Sequence, residues 1–130
     1  MNLGARLRLA GEIVGAYAQA RRALRHRPLP DVVADLRGGA ATVDADRPDA
    51  GPRLARAVVR TLEPLPLDSR CLMRSLVLLR LLARRGVAGR LVIAVTPNQS
   101  DQLAAHAWVE LDGRPLLAPG GFEDGRLLTL

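Results

Sequence analysis

Residues 68–96 decide the fold of this chain, and they read DSRCLMRSLVLLRLLARRGVAGRLVIAVT. Asp68-Ser69 offers an N-cap, and residues 71–83, which follow, are apolar apart from one serine and two arginines. Gly86 ends this helix, and beyond it the apolar residues change to the period of a β-strand over residues 90–96. The stretch therefore predicts a buried central helix followed closely by a strand.

The sequence beyond this first strand has the pattern of an antiparallel sheet. A second strand is predicted over residues 105–111 and a third over residues 114–117, joined by Asp112-Gly113, a dipeptide typical of two-residue hairpin turns. Residues 97–102 form a loop before the second strand, and residues 125–130 could add an edge strand.

The sequence before the central helix is predicted to be helical. Apolar residues recur at spacings of three and four over residues 3–25, which indicates an amphipathic helix, and Pro28 and Pro30 end it. A second helix is expected over residues 32–36, capped by Asp31, and a third over residues 53–62. Residues 40–52 form a polar connection between them.

Length and element order predict one α+β domain over residues 1–130, because helices followed by an antiparallel sheet form that class. Residues 1–66 are its helical N-terminal part, and residues 67–130 hold the central helix and the sheet. The chain is 48% hydrophobic with only three aromatic residues, so leucine, valine and alanine build the core. This composition excludes a disordered chain and argues against an RNA-stacking module, which needs aromatic platforms.

All 19 basic residues are arginines, and the formal net charge is +6. The arginines are spread along most of the chain among alanine, glycine and leucine, as expected for solvated positions, so nucleic-acid binding is not predicted. A diffusely basic surface could still attract an acidic peptide.

Cys71 is the single cysteine, so the chain can form neither an intramolecular disulfide nor a thiolate zinc cluster, and metal chemistry is not expected. The N-terminus has features of a signal peptide, with Arg6 and Arg8 before an apolar stretch, but Glu12 interrupts that stretch. No segment is long enough to cross a membrane, and a cytoplasmic protein is expected.

Cys71 and His106 are the candidate catalytic residues. A thiol is a stronger nucleophile as a thiolate, which a helix N-terminus favours through its dipole and unpaired backbone N–H groups. Cys71 is the third helical residue if Asp68 is the N-cap and the second if Ser69 is, and either geometry leaves a backbone N–H near the sulfur for a developing oxyanion. A cysteine at the start of an apolar helix can equally be a small buried hydrophobe.

His106 favours the catalytic interpretation because it lies at the start of the predicted second strand. Trp108 is expected either to wall a substrate groove beside it or to belong to the core. His26, among arginines and a proline at a helix end, is most simply solvated. Alternation along the second strand separates two faces, with His106, Trp108 and Glu110 on one and Ala107, Val109 and Leu111 on the other.

Two motifs carry a resemblance to a known family. One is SRCLMRSL over residues 69–76, continued by LLARRG over residues 81–86, and the other is AHAWVELDG over residues 105–113. Together they resemble the leader peptidases of lasso-peptide biosynthesis, which belong to the transglutaminase-like cysteine-protease superfamily. The resemblance covers residues 68–115 and implies a transglutaminase-like, papain-like core.

The resemblance implies that Cys71 attacks a peptide carbonyl, while His106 takes the thiol proton and then protonates the leaving amine. It assigns no metal and no organic cofactor. It also implies an aspartate twelve positions beyond the histidine, and that position holds Ala118 here. The carboxylate that normally fixes the imidazole tautomer is therefore missing from its usual place.

Several substitutes for this acid can be weighed from the sequence. Asp112 belongs to the turn and lies about 20 Å from His106 along an extended strand, so it is not expected to serve. The hairpin instead brings residues 118–120 beside His106, and these are Ala118, Pro119 and Gly120. The alternatives left open are a carboxylate returned by a loop (Glu123 or Asp124), a dyad oriented by an amide (Asn98 or Gln99) or by a backbone carbonyl, and a copy that has lost activity.

The resemblance implies a cytoplasmic cysteine endopeptidase that removes the leader from a ribosomally made lasso-peptide precursor through a thioester acyl-enzyme. It implies two protein partners besides the precursor peptide, a separate leader-binding protein and an ATP-dependent lasso cyclase. So short a chain would be the peptidase half of a split arrangement. Two alternatives stay open, namely a non-catalytic peptide-binding or scaffold subunit, which the missing acid favours, and an acyl transferase with the same Cys/His chemistry.

Overall fold

The structure, a computed structural model, describes residues 2–38, 50–65, 71–97, 103–119 and 125–130. These residues form helices followed by an antiparallel sheet, which confirms the predicted α+β class. The elements are α1 (Leu3–His26), α2 (Leu29–Leu36), α3 (Ala50–Leu62), α4 (Cys71–Arg84), β1 (Arg90–Pro97), β2 (Leu103–Leu111), β3 (Arg114–Pro115) and β4 (Arg126–Thr129). Outside the described residues lie the expected caps and several candidate partners of the histidine, namely Asp68, Ser69, Asn98, Gln99, Gly120, Glu123 and Asp124.

Helix α4 forms the centre of the fold and is buried along most of its length, because its sequence is apolar on nearly every side. The other three helices and strands β1 and β2 all contact it. Gly86 follows the helix in the left-handed conformation, with φ 77°. The Gly86 N–H donates to the Ala83 carbonyl and the Val87 N–H to the Leu82 carbonyl, which closes the last turn. The predicted central helix is thus confirmed.

Helix α1 packs on α4 through one face, as its amphipathic pattern predicts, and its buried residues lie in the middle of the helix. Glu12 of α1 also accepts two hydrogen bonds, at 2.8 and 3.2 Å, from Arg85 just beyond the end of α4. Neither α1 nor another helix in the described part of the chain is long and apolar enough to cross a membrane. The buried residues of α1 are Ile13, Ala16, Tyr17 and Ala20.

Two helices begin earlier than the sequence predicts, and proline explains why. Helix α2 starts at Leu29 and α3 at Ala50, each three residues before the expected position. Asp31 therefore lies within the first turn of α2 instead of capping it. A proline in the first turn removes no intrahelical hydrogen bond, since those N–H groups have no partner in the helix. Pro30 and Pro52 accordingly lie inside the helices they were expected to precede.

The sheet has the strand order β3-β2-β1-β4, and each neighbouring pair is antiparallel. Strands β1 and β2 pair from Arg90 opposite Glu110 to Pro97 opposite Leu103. Strand β4 pairs with the other side of β1, which confirms the expected edge strand. The longest strand pair therefore lies in the middle of the sheet and carries His106.

Strand β2 is buried on both faces, in the alternation that the sequence predicts. Ala107 and Val109 belong to the main core around α4, whereas Trp108 lies in a smaller cluster with Val92 and Ala94. Trp108 has no exposed surface. Of the two roles expected for this side chain, it therefore belongs to the core and does not wall a groove.

The hairpin after β2 turns at Asp112-Gly113, as predicted. Both residues have positive φ, 53° and 78°, which is typical of a type I′ turn. Strand β3 spans only Arg114–Pro115, half the predicted length. The Leu116 N–H still donates to the Val109 carbonyl at 2.8 Å, so the segment after β3 stays beside β2.

Candidate active site

Cys71 lies at the start of α4, where the helix meets β2. Its Sγ accepts a hydrogen bond from the backbone N–H of Ala107 at 3.3 Å, and its side chain is half-buried. One turn along the helix, the buried Ser75 hydroxyl donates to the Cys71 carbonyl at 2.7 Å. The Ala107 N–H therefore holds the thiol, and the Ser75 hydroxyl holds the main chain of the same residue, which is only partly buried. No sequence pattern singles out Ser75, since a serine in an apolar helix has no distinctive signal.

His106 lies on β2 opposite Ala94, and its Nε2 is 2.7 Å from the carbonyl oxygen of Ala118. A carbonyl oxygen can only accept a hydrogen bond, so Nε2 carries the proton in this contact. In the neutral ring Nδ1 then has the lone pair. The hydrogen bond thus determines which ring nitrogen can act as a base.

Ala118 is the position at which the family pattern implies an aspartate, and the hairpin register brings it beside His106 as the sequence predicts. The contact is made by the main chain instead of a carboxylate. A backbone carbonyl, one of the alternatives left open above, therefore orients the imidazole in the described part of the chain. Asp112 lies in the turn, as expected.

Helix α4 packs on β2 and so brings Cys71 to the strand that carries His106. The thiol of Cys71 bonds the main chain of Ala107, which is the residue next to His106. The helix supplies the nucleophile, and the hairpin supplies both the histidine and its hydrogen-bond acceptor. His26 is exposed near the end of α1, in agreement with its expected solvated position.

The His106 ring lies near Trp108, whose indole is held by the buried carboxylate of Glu110. The ring centroids of His106 and Trp108 are 5.9 Å apart, and the indole N–H donates to Glu110 at 3.0 Å. Arg126 of β4 donates to the same carboxylate at 2.8 and 3.2 Å. Nothing in the sequence pattern predicts this pairing, because Arg126 comes from a separate strand.

Glu110 is ionised in this arrangement. Burial alone raises the pKa of its carboxyl group, but the hydrogen bonds from Trp108 and Arg126, together with the charge of Arg126, hold the pKa below its ordinary value. Glu110 is therefore an acceptor that fixes the indole of Trp108, and through it one side of the His106 ring. Among the described residues, no group of three or more histidine, cysteine or acidic side chains could hold a metal ion.

A cysteine at the start of a central helix that packs on the strand carrying a histidine is the arrangement expected of a cysteine-protease or acyltransferase scaffold. The sequence profile of the Transglutaminase-like superfamily matches residues 11–125, and the chain belongs to this superfamily. The match includes the N-terminal helices and so extends well beyond the two motifs. Comparison with curated proteins and with solved structures gives no match.

Proposed function

We propose that this protein is a cysteine endopeptidase that removes the leader peptide from a lasso-peptide precursor, with Cys71 as nucleophile and His106 as general base and acid. The observation that carries the proposal is the contact of Cys71 with the main chain of β2 next to His106. Cys71 Sγ is 3.3 Å from the backbone nitrogen next to His106, and the His106 ring is oriented by the Ala118 carbonyl. The leader-peptidase assignment within the superfamily comes from the motifs around Cys71 and His106.

In the proposed reaction, Nδ1 of His106 takes the thiol proton and the Cys71 thiolate attacks the carbonyl carbon of the scissile peptide bond. Nε2–H stays bonded to the Ala118 carbonyl, whose partial negative charge stabilises the imidazolium. The imidazolium then gives its proton to the leaving amine, and the leader remains on Sγ as a thioester. A water that loses its proton to Nδ1 hydrolyses the thioester and restores the thiol.

Two backbone groups would assist the thiolate and the intermediate. The Ala107 N–H donates to the sulfur, and such a hydrogen bond stabilises a thiolate more than a thiol. The first N–H groups of an α-helix have no intrahelical partner, so those of the first turn of α4 would donate to the oxyanion. Both contributions come from main-chain groups that the fold holds in place.

The test uses the precursor encoded beside this gene, incubated with this protein and the leader-binding protein, with products identified by mass spectrometry. Hydrolysis gives two products whose masses sum to that of the precursor plus one water. Cys71→Ala should abolish cleavage, and His106→Ala should slow it by about 10²–10⁴-fold. His26→Ala is the matched control and should cleave normally, since His26 is exposed near the end of α1.

Other results would change the proposal in defined ways. Full cleavage by Cys71→Ala would exclude the cysteine-peptidase mechanism. A product that carries an added amine instead of water would show acyl transfer through the same thioester. Precursor binding without turnover would favour the non-catalytic scaffold, the alternative that Ala118 in place of an acid supports.

We also propose that most of the affinity for precursor is supplied by the leader-binding protein, through a high effective concentration at the peptidase. Titration of labelled precursor should therefore show weak binding by the peptidase alone and tight binding once the partner is present. Equally tight binding by the isolated peptidase would contradict the split arrangement.

A further inference from the structure

A shallow groove of about 410 Å³ runs between α3 and the segment that follows β3. Its lining includes Ala118, the residue whose carbonyl holds the His106 ring. The groove therefore borders the candidate active site, although neither Cys71 nor His106 lines it. It is lined by Ala55, Arg56, Val59, Arg60, Leu116, Leu117 and Ala118.

The groove combines a partly apolar lining with a positive rim. Val59 and Leu116 are half-buried, whereas Arg56 and Arg60 are exposed one helical turn apart on the same face of α3. Within the described residues neither arginine forms an ion pair. Glu63 lies three residues after Arg60 on the same chain segment, but it does not form an ion pair with Arg60. Like charges at this spacing repel, so a bound anion would relieve an unfavourable contact.

We propose, on the basis of the proposed function, that this groove binds an acidic segment of the substrate peptide next to the scissile bond. Arg56 and Arg60 would pair with a glutamate or aspartate side chain, because a guanidinium matches a carboxylate in shape and charge. The neighbouring peptide residue would lie on Val59 and Leu116. The net charge of +6 favours the same class of ligand over the whole surface, and the groove gives it a defined place.

The test is a binding measurement that needs no turnover. Fluorescence anisotropy would compare two labelled probes, the peptide Ala-Glu-Ala-Glu-Ala-Glu and its glutamine counterpart, on the Cys71→Ala protein at low ionic strength. The acidic probe should bind about threefold to tenfold more tightly, the range for two exposed ion pairs. Arg56→Gln combined with Arg60→Gln should remove this preference, and added salt should reduce it.

Arg53→Gln is the matched control, because Arg53 is exposed on the same helix but does not line the groove. It should keep the preference for the acidic probe. Equal binding of the two probes, or an equal loss of preference in Arg53→Gln, would overturn the inference, since either shows that the groove does not select for the acid.

The outcome is separable from that of the cleavage assay. Cleavage that depends on Cys71, without any preference for the acidic probe, would refute the groove and leave the peptidase in place. A preference that depends on Arg56 and Arg60, without cleavage, would support the groove as an acidic-peptide site and count against the peptidase.

Discussion

At the scale of single residues, the contact between His106 and the Ala118 carbonyl is the feature on which the mechanism depends most. The carbonyl fixes the ring and its tautomer through one hydrogen bond of 2.7 Å. It carries only a partial negative charge, so it stabilises an imidazolium less than a carboxylate would. We therefore expect a carboxylate at position 118 to support the imidazolium more than this carbonyl does.

Ala118→Asp should keep or raise the rate of precursor cleavage. Ala118 is exposed, so a longer side chain meets no packing barrier, and the new carboxylate would add full charge near the imidazolium. The comparison is kcat for the variant and the wild type with the same precursor and partner. Ala118→Asn is the matched control, because it has nearly the same shape without the charge. A large loss in the aspartate variant alone would contradict the proposed role of the carbonyl.

The location of Ala118 could be predicted from the sequence, but its role could not. A two-residue turn fixes the register of a hairpin, so counting from Asp112-Gly113 places residue 119 opposite His106 and residue 118 next to it. That a main-chain oxygen would replace a carboxylate depends on how the chain leaves the ladder after Pro115. The contacts of Ser75 and Glu110 depend on packing between elements that are distant in sequence, which no local pattern encodes.

At the scale of elements, the hairpin turn is the part of the fold with the most specific backbone requirement. Asp112→Asn should leave stability within about 0.5 kcal/mol of the wild type and leave cleavage unchanged, because asparagine also adopts the positive φ of 53° seen here. Urea denaturation and the cleavage assay measure the two effects. A large loss of turnover in a stable Asp112→Asn protein would show that Asp112 takes part in the reaction.

Gly113→Ala should destabilise the protein by about 1–2 kcal/mol, because alanine disfavours the φ of 78° at this position. An added Cβ would meet no atom within 4 Å, so the loss would come from the backbone and not from a clash. The measurement is the urea midpoint of the variant. An unchanged midpoint would mean that this turn is not the type I′ turn on which the register depends.

Element types could be predicted from the sequence more reliably than element ends. The apolar run that forms α4 and the alternation along β2 set the elements and the faces that they bury, since burial depends on hydrophobic period. The starts of α2 and α3 lie three residues before the predicted ones, because the first helical turn tolerates a proline that the sequence pattern marks as a boundary. The predicted third strand is longer than β3, which ends at Pro115 although the Leu116 N–H still bonds the Val109 carbonyl.

At the scale of the whole molecule, Glu12 and Arg85 join the first helix to the end of the central one. The pKa of Glu12 is below its ordinary value, mainly because of the hydrogen bond from Arg85. Burial raises this pKa, whereas the positive charges of Arg85 and Arg84 lower it further. A carboxyl group whose pKa is lower in the folded state stabilises the fold above its unfolded pKa, about 4.3 for glutamate. This contribution is lost as the pH falls through the lowered folded pKa.

Glu12→Gln should therefore lower the free energy of unfolding at pH 7 by about 0.5–1 kcal/mol, the range for a partly exposed ion pair. The difference from the wild type should shrink as the pH falls from 5 toward 3. Urea denaturation at several pH values measures it, with Glu63→Gln as a control for an exposed glutamate that forms no ion pair with any residue the structure describes. A difference that does not change with pH would show that the Glu12 charge does not link the helices.

The central claim, that His106 activates Cys71, can be tested without any substrate. Cys71 is the single cysteine, so alkylation by iodoacetamide followed by intact mass reports on this thiol alone. We predict that at pH 6 the wild type and His26→Ala are alkylated at least about tenfold faster than His106→Ala, because the imidazole takes the thiol proton. The rates should converge at alkaline pH, where a thiol ionises without help. Identical alkylation rates for wild type and His106→Ala at every pH would contradict the claim.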